Sequence, residues 1–113
     1  MKIVTKKIAL VELHQMAAAG FGNMVKAVVV IDKELLAVDS ELHSDLEALL
    51  LEEGSKQKDL RGINLYPEMT GDDLVEFDSM INMRPSQNNR SRGVDDPKIR
   101  KKIVEVVAKK VER

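Results

Sequence analysis

Residues 25–38 read VKAVVVIDKELLAV, and this stretch decides the fold class. Val25 to Ile31 is short, rich in β-branched residues and nearly continuous in hydrophobicity, which is typical of a strand covered on both faces. Asp32-Lys33 separates it from a second apolar run, Glu34 to Val38. Two polar residues between two apolar runs predict two strands joined by a tight hairpin turn.

Helices are predicted near both ends of the chain. From Ile8 to Ala19 apolar residues recur at helical spacing, and Gly20 then ends the pattern. The last helix is predicted to begin at Asp96, which caps it, with Pro97 in its first position. Its apolar stripe repeats at helical spacing and consists of Ile99, Ile103, Val106, Val107 and Val111.

A third helix is predicted between these two, directly after the hairpin. Ser44 and Glu47 have the spacing of a capping box, and Gly54 is suited to a left-handed stop. The helix is therefore predicted over Ser44–Glu53, with an earlier start at Ser40 as the alternative.

Two further strands are predicted in the second half of the chain. Leu60 to Tyr66 is closed by Pro67, and Leu74 to Met83 alternates apolar and polar residues. Pro85 to Val94 has no periodicity and is predicted to be a long loop. The order is α-β-β-α-β-β-α, which predicts a single α+β domain over residues 1–113, with about four mostly antiparallel strands and three helices.

The composition excludes several classes of function. The chain has no cysteine, which excludes disulfides, thiolate nucleophiles, iron–sulfur clusters and zinc fingers. Aromatic residues make up only 3%, too few for a base-stacking platform. No phosphate-binding or dinucleotide-binding glycine motif occurs, and we expect no cofactor. No signal peptide or long apolar run is present, so we expect a cytoplasmic protein without membrane contact.

The charge is distributed unevenly along the chain. The formal net charge is −1, but residues 84–113 contain ten Lys and Arg against four Asp and Glu, a net charge of +6. Residues 1–83 carry −7 by the same count. The lysines of the last helix lie opposite its apolar stripe and are interpreted as a solvated face, with a nucleic-acid backbone as the alternative partner.

The first candidate site is the polar face of the predicted strand Leu74–Met83. Asp78 and Asn82 have poor strand propensity, and a residue that is locally unfavourable often has another role. If this strand pairs with Leu60–Tyr66, one face combines the polar side chains Asn64, Tyr66, Glu76, Asp78, Asn82 and Arg84. The alternative is an ordinary solvent-exposed sheet face.

The second candidate site is the loop that follows. Three arginines, Arg84, Arg90 and Arg92, alternate there with small polar residues, and guanidinium groups bind phosphate or carboxylate oxygens. The polar side chains that accompany them are Ser86, Gln87, Asn88, Asn89 and Ser91. The alternative is that the arginines pair with acids elsewhere and hold the loop to the sheet.

The third candidate surrounds His43. Glu41, His43 and Asp45 are metal-ligating residue types, but a metal site needs ligands that converge. Acidic residues in the first turn of a helix ordinarily complement its dipole, so the sequence predicts no metal site.

Several motifs together resemble an uncharacterised microbial family that is known only as a domain of unknown function. The longest is residues 76–93, EFDSMINMRPSQNNRSRG, and others are residues 41–43 (ELH), 49–55 (LLLEEGS) and 62–64 (GIN). The resemblance covers nearly the whole chain and implies a complete, stand-alone member of that family. It implies no reaction, ligand or partner.

These observations support three hypotheses. The first is a binding protein for an anionic ligand, held by the loop Arg84 to Arg92 with Asn64, Asp78 and Asn82. The second is a hydrolase, in which His43 acts with Asp78 or Glu76 beside the arginines. The third is a structural module that forms homo-oligomers through its acidic and basic parts.

Overall fold

A computed structural model describes all of residues 1–113. The chain forms three helices, a five-stranded sheet and a separate two-stranded sheet. In chain order the elements are β1 Lys2–Val4, β2 Ile8–Ala9, α1 Leu10–Ala19, β3 Val25–Val30, β4 Leu35–Val38, α2 His43–Glu52, β5 Leu60–Leu65, β6 Val75–Glu76, α3 Pro97–Lys110 and β7 Val111–Glu112.

The large sheet has the order β1-β4-β3-β5-β6, and all its neighbouring strands are antiparallel. The predicted hairpin is present as β3 and β4, with Val30 opposite Leu35. Glu34, in the turn, has a left-handed φ of 55°. The predicted α+β class with three helices is confirmed, and β3 lies at the centre of the sheet.

Three short strands were not predicted. β1 adds an edge to the large sheet beside β4, and β2 pairs in parallel with β7, which joins the two ends of the described chain. Ile8 and Val111 were predicted as helix residues, but they lie in β2 and β7, next to the ends of α1 and α3. The three strands contain two or three residues each, too few for a hydrophobic period to identify them.

Helices cover both faces of the large sheet. On one face α1 and α3 pack against alternate strand residues such as Ala27, Val29 and Ile63. On the other face α2 packs Leu46 and Leu50 against Val28, Val30 and Leu60 in a smaller cluster. The apolar run in β3 is nearly continuous because helices bury both of its faces.

The predicted strand Leu74–Met83 is wrong beyond Glu76. Residues Met80–Asn82 form a 3-10 turn instead. Ser79 caps this turn, because its Oγ accepts a hydrogen bond from the Ile81 amide at 3.3 Å. Asn82 Oδ1 accepts from the Gly62 amide at 2.8 Å, and Asn82 Nδ2 donates to the Gly62 carbonyl at 2.9 Å. A side-chain amide therefore occupies the edge of β5 where β6 would otherwise have continued.

Gly62 allows the segment from Ser79 to Asn82 to lie close to β5. A Cβ atom at residue 62 would lie 2.6 Å from the Cβ and Oγ atoms of Ser79, well inside van der Waals contact. The polar residues that weaken the strand pattern thus end the strand, so Asp78 and Asn82 do not lie on one pleated face.

The predicted capping box of α2 is also wrong. The helix begins at His43 after Leu42, no side chain caps it, and Ser44 lies inside its first turn. Glu47 is not available to a cap because its Oε2 accepts from Arg84 Nη2 at 2.9 Å. The predicted stop is confirmed, since Gly54 has a φ of 98°. The predicted cap of α3 is confirmed as well, since Asp96 Oδ1 accepts from the Lys98 amide at 2.8 Å.

The segment predicted as an irregular loop is an ordered hairpin-like turn. Pro85–Gln87 form a 3-10 turn, and Arg84 and Asn89 exchange backbone hydrogen bonds of 2.7 and 3.1 Å. Asn89 is buried, and its Nδ2 donates to the carbonyls of Asn82 at 2.6 Å and Gly93 at 2.9 Å. Buried side-chain amides therefore satisfy backbone groups that regular secondary structure would otherwise satisfy.

No helix in the chain has the length and apolar composition needed to cross a membrane.

Candidate functional site

A cavity of about 370 Å³ opens where the first turn of α2 meets the sheet face formed by β3 and β5. We call it the His43 cavity. Its polar lining comes from five segments of the chain: Lys26, His43 and Ser44, Asn64, Asp78 and Ser79, and Arg92. Its apolar lining consists of Met24, Leu42, Met80 and Ile81. The cavity therefore brings together residues from all three candidate sites: Asn64 and Asp78 from the first, Arg92 from the second and His43 from the third.

Strand register places two of the polar side chains side by side. Lys26 of β3 lies directly opposite Asn64 of β5. Both alternate with Ala27 and Ile63, which face the core under α1 and α3. Lys26 and Asn64 must therefore face the α2 side, where the helix begins and leaves the cavity open.

His43 lines the cavity and is only 8% exposed. Its Nε2 lies 2.7 Å from the Ile63 carbonyl oxygen. Because a carbonyl oxygen only accepts, Nε2 carries the ring proton. Burial lowers the pKa of His43 below its ordinary value, and the Ile63 carbonyl opposes this shift. The ring is thus neutral at neutral pH, and its Nδ1 is a hydrogen-bond acceptor.

Asn64 carries a second acceptor next to the cavity. The residue is 5% exposed, and its Nδ2 donates to Glu76 Oε1 at 2.8 Å and to the Asp78 carbonyl at 3.4 Å. Its Oδ1 is buried and receives no hydrogen bond from the protein. An unsatisfied buried acceptor costs free energy, about 1–3 kcal/mol. A bound group with an N–H or O–H would recover it.

Two cations line the cavity. Lys26 makes no ion pair, and its ammonium lies 5.1 Å from the centre of the Phe21 ring. Arg92 Nε donates to Asp78 Oδ1 at 2.7 Å, and both side chains are largely exposed. Since Asp78 is the only acid of the lining, the lining has a net positive charge.

The first turn of α2 adds backbone donors. Its first residues, His43 and Ser44, line the cavity, and no capping side chain accepts their amide hydrogens. Free amides at the start of a helix, together with the helix dipole, favour an anionic group.

Three predicted ligand-binding residues have structural partners instead of facing the cavity. Arg84 Nη1 donates to the carbonyls of Gln57 and Leu60, and its Nη2 pairs with Glu47. Burial lowers the pKa of Arg84, while Glu47 opposes the shift. Asn82 and Asn89 are buried and hold the turn segments together.

The remaining predicted residues lie outside the cavity lining. Ser86, Gln87 and Arg90 are exposed in the hairpin-like turn, and their side chains make no hydrogen bond. Glu76 accepts from Asn64 and from the Tyr66 hydroxyl at 2.9 Å. Burial and the neighbouring Glu76 raise the pKa of Tyr66.

The weak metal candidates do not converge. Of Glu41, His43 and Asp45, only His43 lines the cavity. No group of three or more His, Cys, Asp or Glu side chains is placed to hold a metal ion.

The sequence interpretation missed Lys26 and Ser44 as site residues. Lys26 is the only charged residue in the apolar stretch Val25 to Ile31, and this exception was the available signal. Ser44 contributes through its position in an uncapped helix turn, which sequence alone does not reveal.

No curated protein and no solved structure gives a significant match to the chain. A family model described as "Protein of unknown function (DUF5674)" matches residues 2–110. This match spans nearly every element described above, from β1 to the end of α3. The chain therefore belongs to the DUF5674 family of proteins of unknown function.

Proposed function

We propose that this protein binds a small anionic ligand, such as a phosphate or carboxylate compound, in the His43 cavity. The observation that carries the proposal is the convergence of Lys26, Arg92 and the free amides of His43 and Ser44 on one cavity. These groups are donors of the kind that hold phosphate and carboxylate oxygens.

The ligand also carries a hydrogen-bond donor. Asn64 Oδ1 has no donor within the protein, and Nδ1 of neutral His43 is a second acceptor beside it. A hydroxyl or amino group near the anionic group satisfies both requirements. The volume of about 370 Å³ fits within the usual range of small-molecule sites.

Binding of inorganic phosphate, followed by the ring C–H signals of the two histidines in NMR spectra, tests the proposal. We expect a saturable shift of the His43 signals only, because His14 is exposed on α1 and does not line the cavity. Arg92→Gln is expected to weaken binding about ten-fold, since it removes one charge-assisted hydrogen bond.

Arg90→Gln is the matched control. Arg90 is exposed in the same turn but does not line the cavity, so phosphate affinity is expected to stay unchanged. Equal weakening by both substitutions, or no saturable shift of His43, would contradict the proposal.

A hydrolase is the second candidate function. It is favoured by the shared position of His43 and Asp78 in the cavity and by the Ile63 carbonyl, which fixes the imidazole tautomer. Neutral Nδ1 has the form that a general base needs. Incubation with p-nitrophenyl phosphate separates the two candidates, because a hydrolase releases p-nitrophenol whereas a binding protein retains the ester.

Two further expectations stay predictions: a cytoplasmic location and self-association. Ion pairs between the acidic residues 1–83 and the basic residues 84–113 form within one chain.

A further inference from the structure

A second cavity of about 240 Å³ adjoins the His43 cavity. We call it the Phe21 cavity. The two cavities share Met24 and Lys26 in their linings, so the Lys26 side chain forms a wall of both. The Phe21 cavity follows the end of α1 and has an apolar surface from Met16, Phe21 and Met24.

Phe21 is the principal apolar surface of this cavity. The ring is 47% exposed although aromatic residues ordinarily bury most of their area. It lies 5.1 Å from the Lys26 ammonium, close enough for a cation–π contact. The cation at the junction therefore lies between an aromatic face and the polar His43 cavity.

The charges of the two cavities differ. Asp39 and Glu41 line the Phe21 cavity, whereas the lining of the His43 cavity has a net positive charge. The two acids repel an anionic group from the Phe21 cavity. A ligand that spans both cavities must place its anionic group beside His43 and a different group beside Phe21.

We propose that the ligand is amphipathic, with its anionic group in the His43 cavity and an apolar, ring-shaped group in the Phe21 cavity. This inference rests on the proposed function, because it needs the anionic group beside His43. Lys26 contacts both parts of the ligand: its ammonium pairs with the anionic group, and its alkyl stem contacts the apolar group.

Calorimetric titrations with inorganic phosphate and phenyl phosphate test the inference. The two probes share the phosphate and differ in the apolar ring. Phenyl phosphate is expected to bind about ten-fold more tightly or better, the gain that a hydrophobic pocket gives for a small apolar group. Phe21→Ala is expected to remove this gain while the affinity for inorganic phosphate stays unchanged.

Phe21→Leu and Met69→Ala are the controls. Leucine keeps much of the apolar surface, so most of the gain is expected to remain. Met69 is exposed and lines neither cavity, so its substitution is expected to have no effect. Equal affinity of the two probes for the unmodified protein, or a gain that survives Phe21→Ala, overturns the inference.

Titration with phosphoethanolamine tests whether Asp39 and Glu41 bind an ammonium group in the Phe21 cavity. If it binds more tightly than phenyl phosphate, Asp39 and Glu41 select an ammonium group and the apolar assignment is wrong. Failure of the proposed function gives a different result: no probe binds, or Arg92→Gln leaves the affinity for inorganic phosphate unchanged.

Discussion

Asn82 connects the segment after β6 to the edge of β5. The residue is fully buried, and besides its two hydrogen bonds to Gly62 its Nδ2 donates to the Arg92 carbonyl at 2.9 Å. An asparagine side chain carries both a donor and an acceptor, as a peptide group does, and so pairs with a strand edge. Asn82 also links this edge to Arg92, a residue of the His43 cavity.

Removal of this amide is expected to destabilise the fold. Asn82→Ala leaves the Gly62 amide and carbonyl unpaired in a buried region, whereas the Arg92 carbonyl keeps the Ser79 amide as a donor. We therefore expect a loss of about 3 kcal/mol in the free energy of unfolding. Urea denaturation measures it. Gln87→Ala, at an exposed side chain without hydrogen bonds, is expected to stay within about 0.5 kcal/mol. A loss at Asn82 no larger than at Gln87 would show that the pairing contributes nothing.

The three arginines of the turn illustrate what residue type alone predicts. Their density indicated a donor-rich segment, but Arg84 is held by Glu47, Arg92 lines the cavity and Arg90 is exposed. All three have the same side chain. Their different roles depend on what lies opposite each of them in space, and local sequence does not encode this.

The β3–β4 turn is connected to α3 by one carboxylate. Glu34 Oε2 accepts from Lys102 at 3.0 Å, and Glu34 Oε1 accepts from Lys109 at 2.8 Å. The two lysines are seven residues apart, which places them on the same side of the helix. Hydrogen bonds from Lys109 and Lys102 lower the pKa of Glu34 to about 2.

This pair of contacts predicts a pH dependence at the level of the element. The pKa of Glu34 is lower in the folded protein than its ordinary value of 4.5, so the contribution to stability is present above pH 4.5. It is lost as the pH falls toward about 2. We therefore expect Glu34→Gln to flatten the decrease in urea midpoint over this pH range.

Glu52→Gln is the control for this prediction, because Glu52 is exposed and makes no ion pair. It is expected to leave the acid dependence unchanged. If Glu34→Gln and the unmodified protein lose stability in parallel between pH 4.5 and 2, the contact with α3 does not contribute to the pH dependence.

Elements with long periodic patterns were predicted well, and short ones were not. The stripe of α3 and the apolar run of β3 each span enough residues for their period to be unambiguous. Apolar and polar residues do alternate in Leu74–Met83. The side chains of Ser79 and Asn82 nevertheless hydrogen-bond to backbone groups, and a 3-10 turn forms there in place of a strand. Side-chain hydrogen bonds to the backbone, one local and one between distant segments, override a hydrophobic period here.

In the whole molecule, the acidic first part and the basic last part of the chain meet inside one fold. Arg84–Glu47, Arg92–Asp78 and the Glu34 contacts all join residues 84–113 to residues 1–83. The pair Arg84–Glu47 is largely buried, and the others are more exposed. The charge gradient along the sequence is therefore partly neutralised by folding.

The parallel pair β2–β7 holds together the two ends of the described chain. Val111 lies opposite Ile8, and both side chains are buried against the core under α1 and α3.

Val111→Ala is expected to lower the free energy of unfolding by about 2 kcal/mol, because it removes buried methyl groups from this junction. Val11→Ala, at an exposed valine of α1, is the control and is expected to change stability by less than about 0.5 kcal/mol. Chemical denaturation of the two variants measures the difference, and equal values would show that the junction is not part of the cooperative core.

The sequence by itself determined the α+β class, the three helices and the central hairpin, because these depend mainly on hydrophobic periods within continuous segments. Only the tertiary structure decided the site. Lys26, His43, Asn64 and Arg92 come from four segments, and strand register and the start of α2 bring them to one cavity. Folding also determined which polar groups have partners: both ends of the Asn82 amide are hydrogen-bonded within the protein, whereas Asn64 Oδ1 and Arg84 Nε are not. Hydrogen bonds between distant segments depend on three-dimensional distance, which residue type and spacing along the chain do not specify.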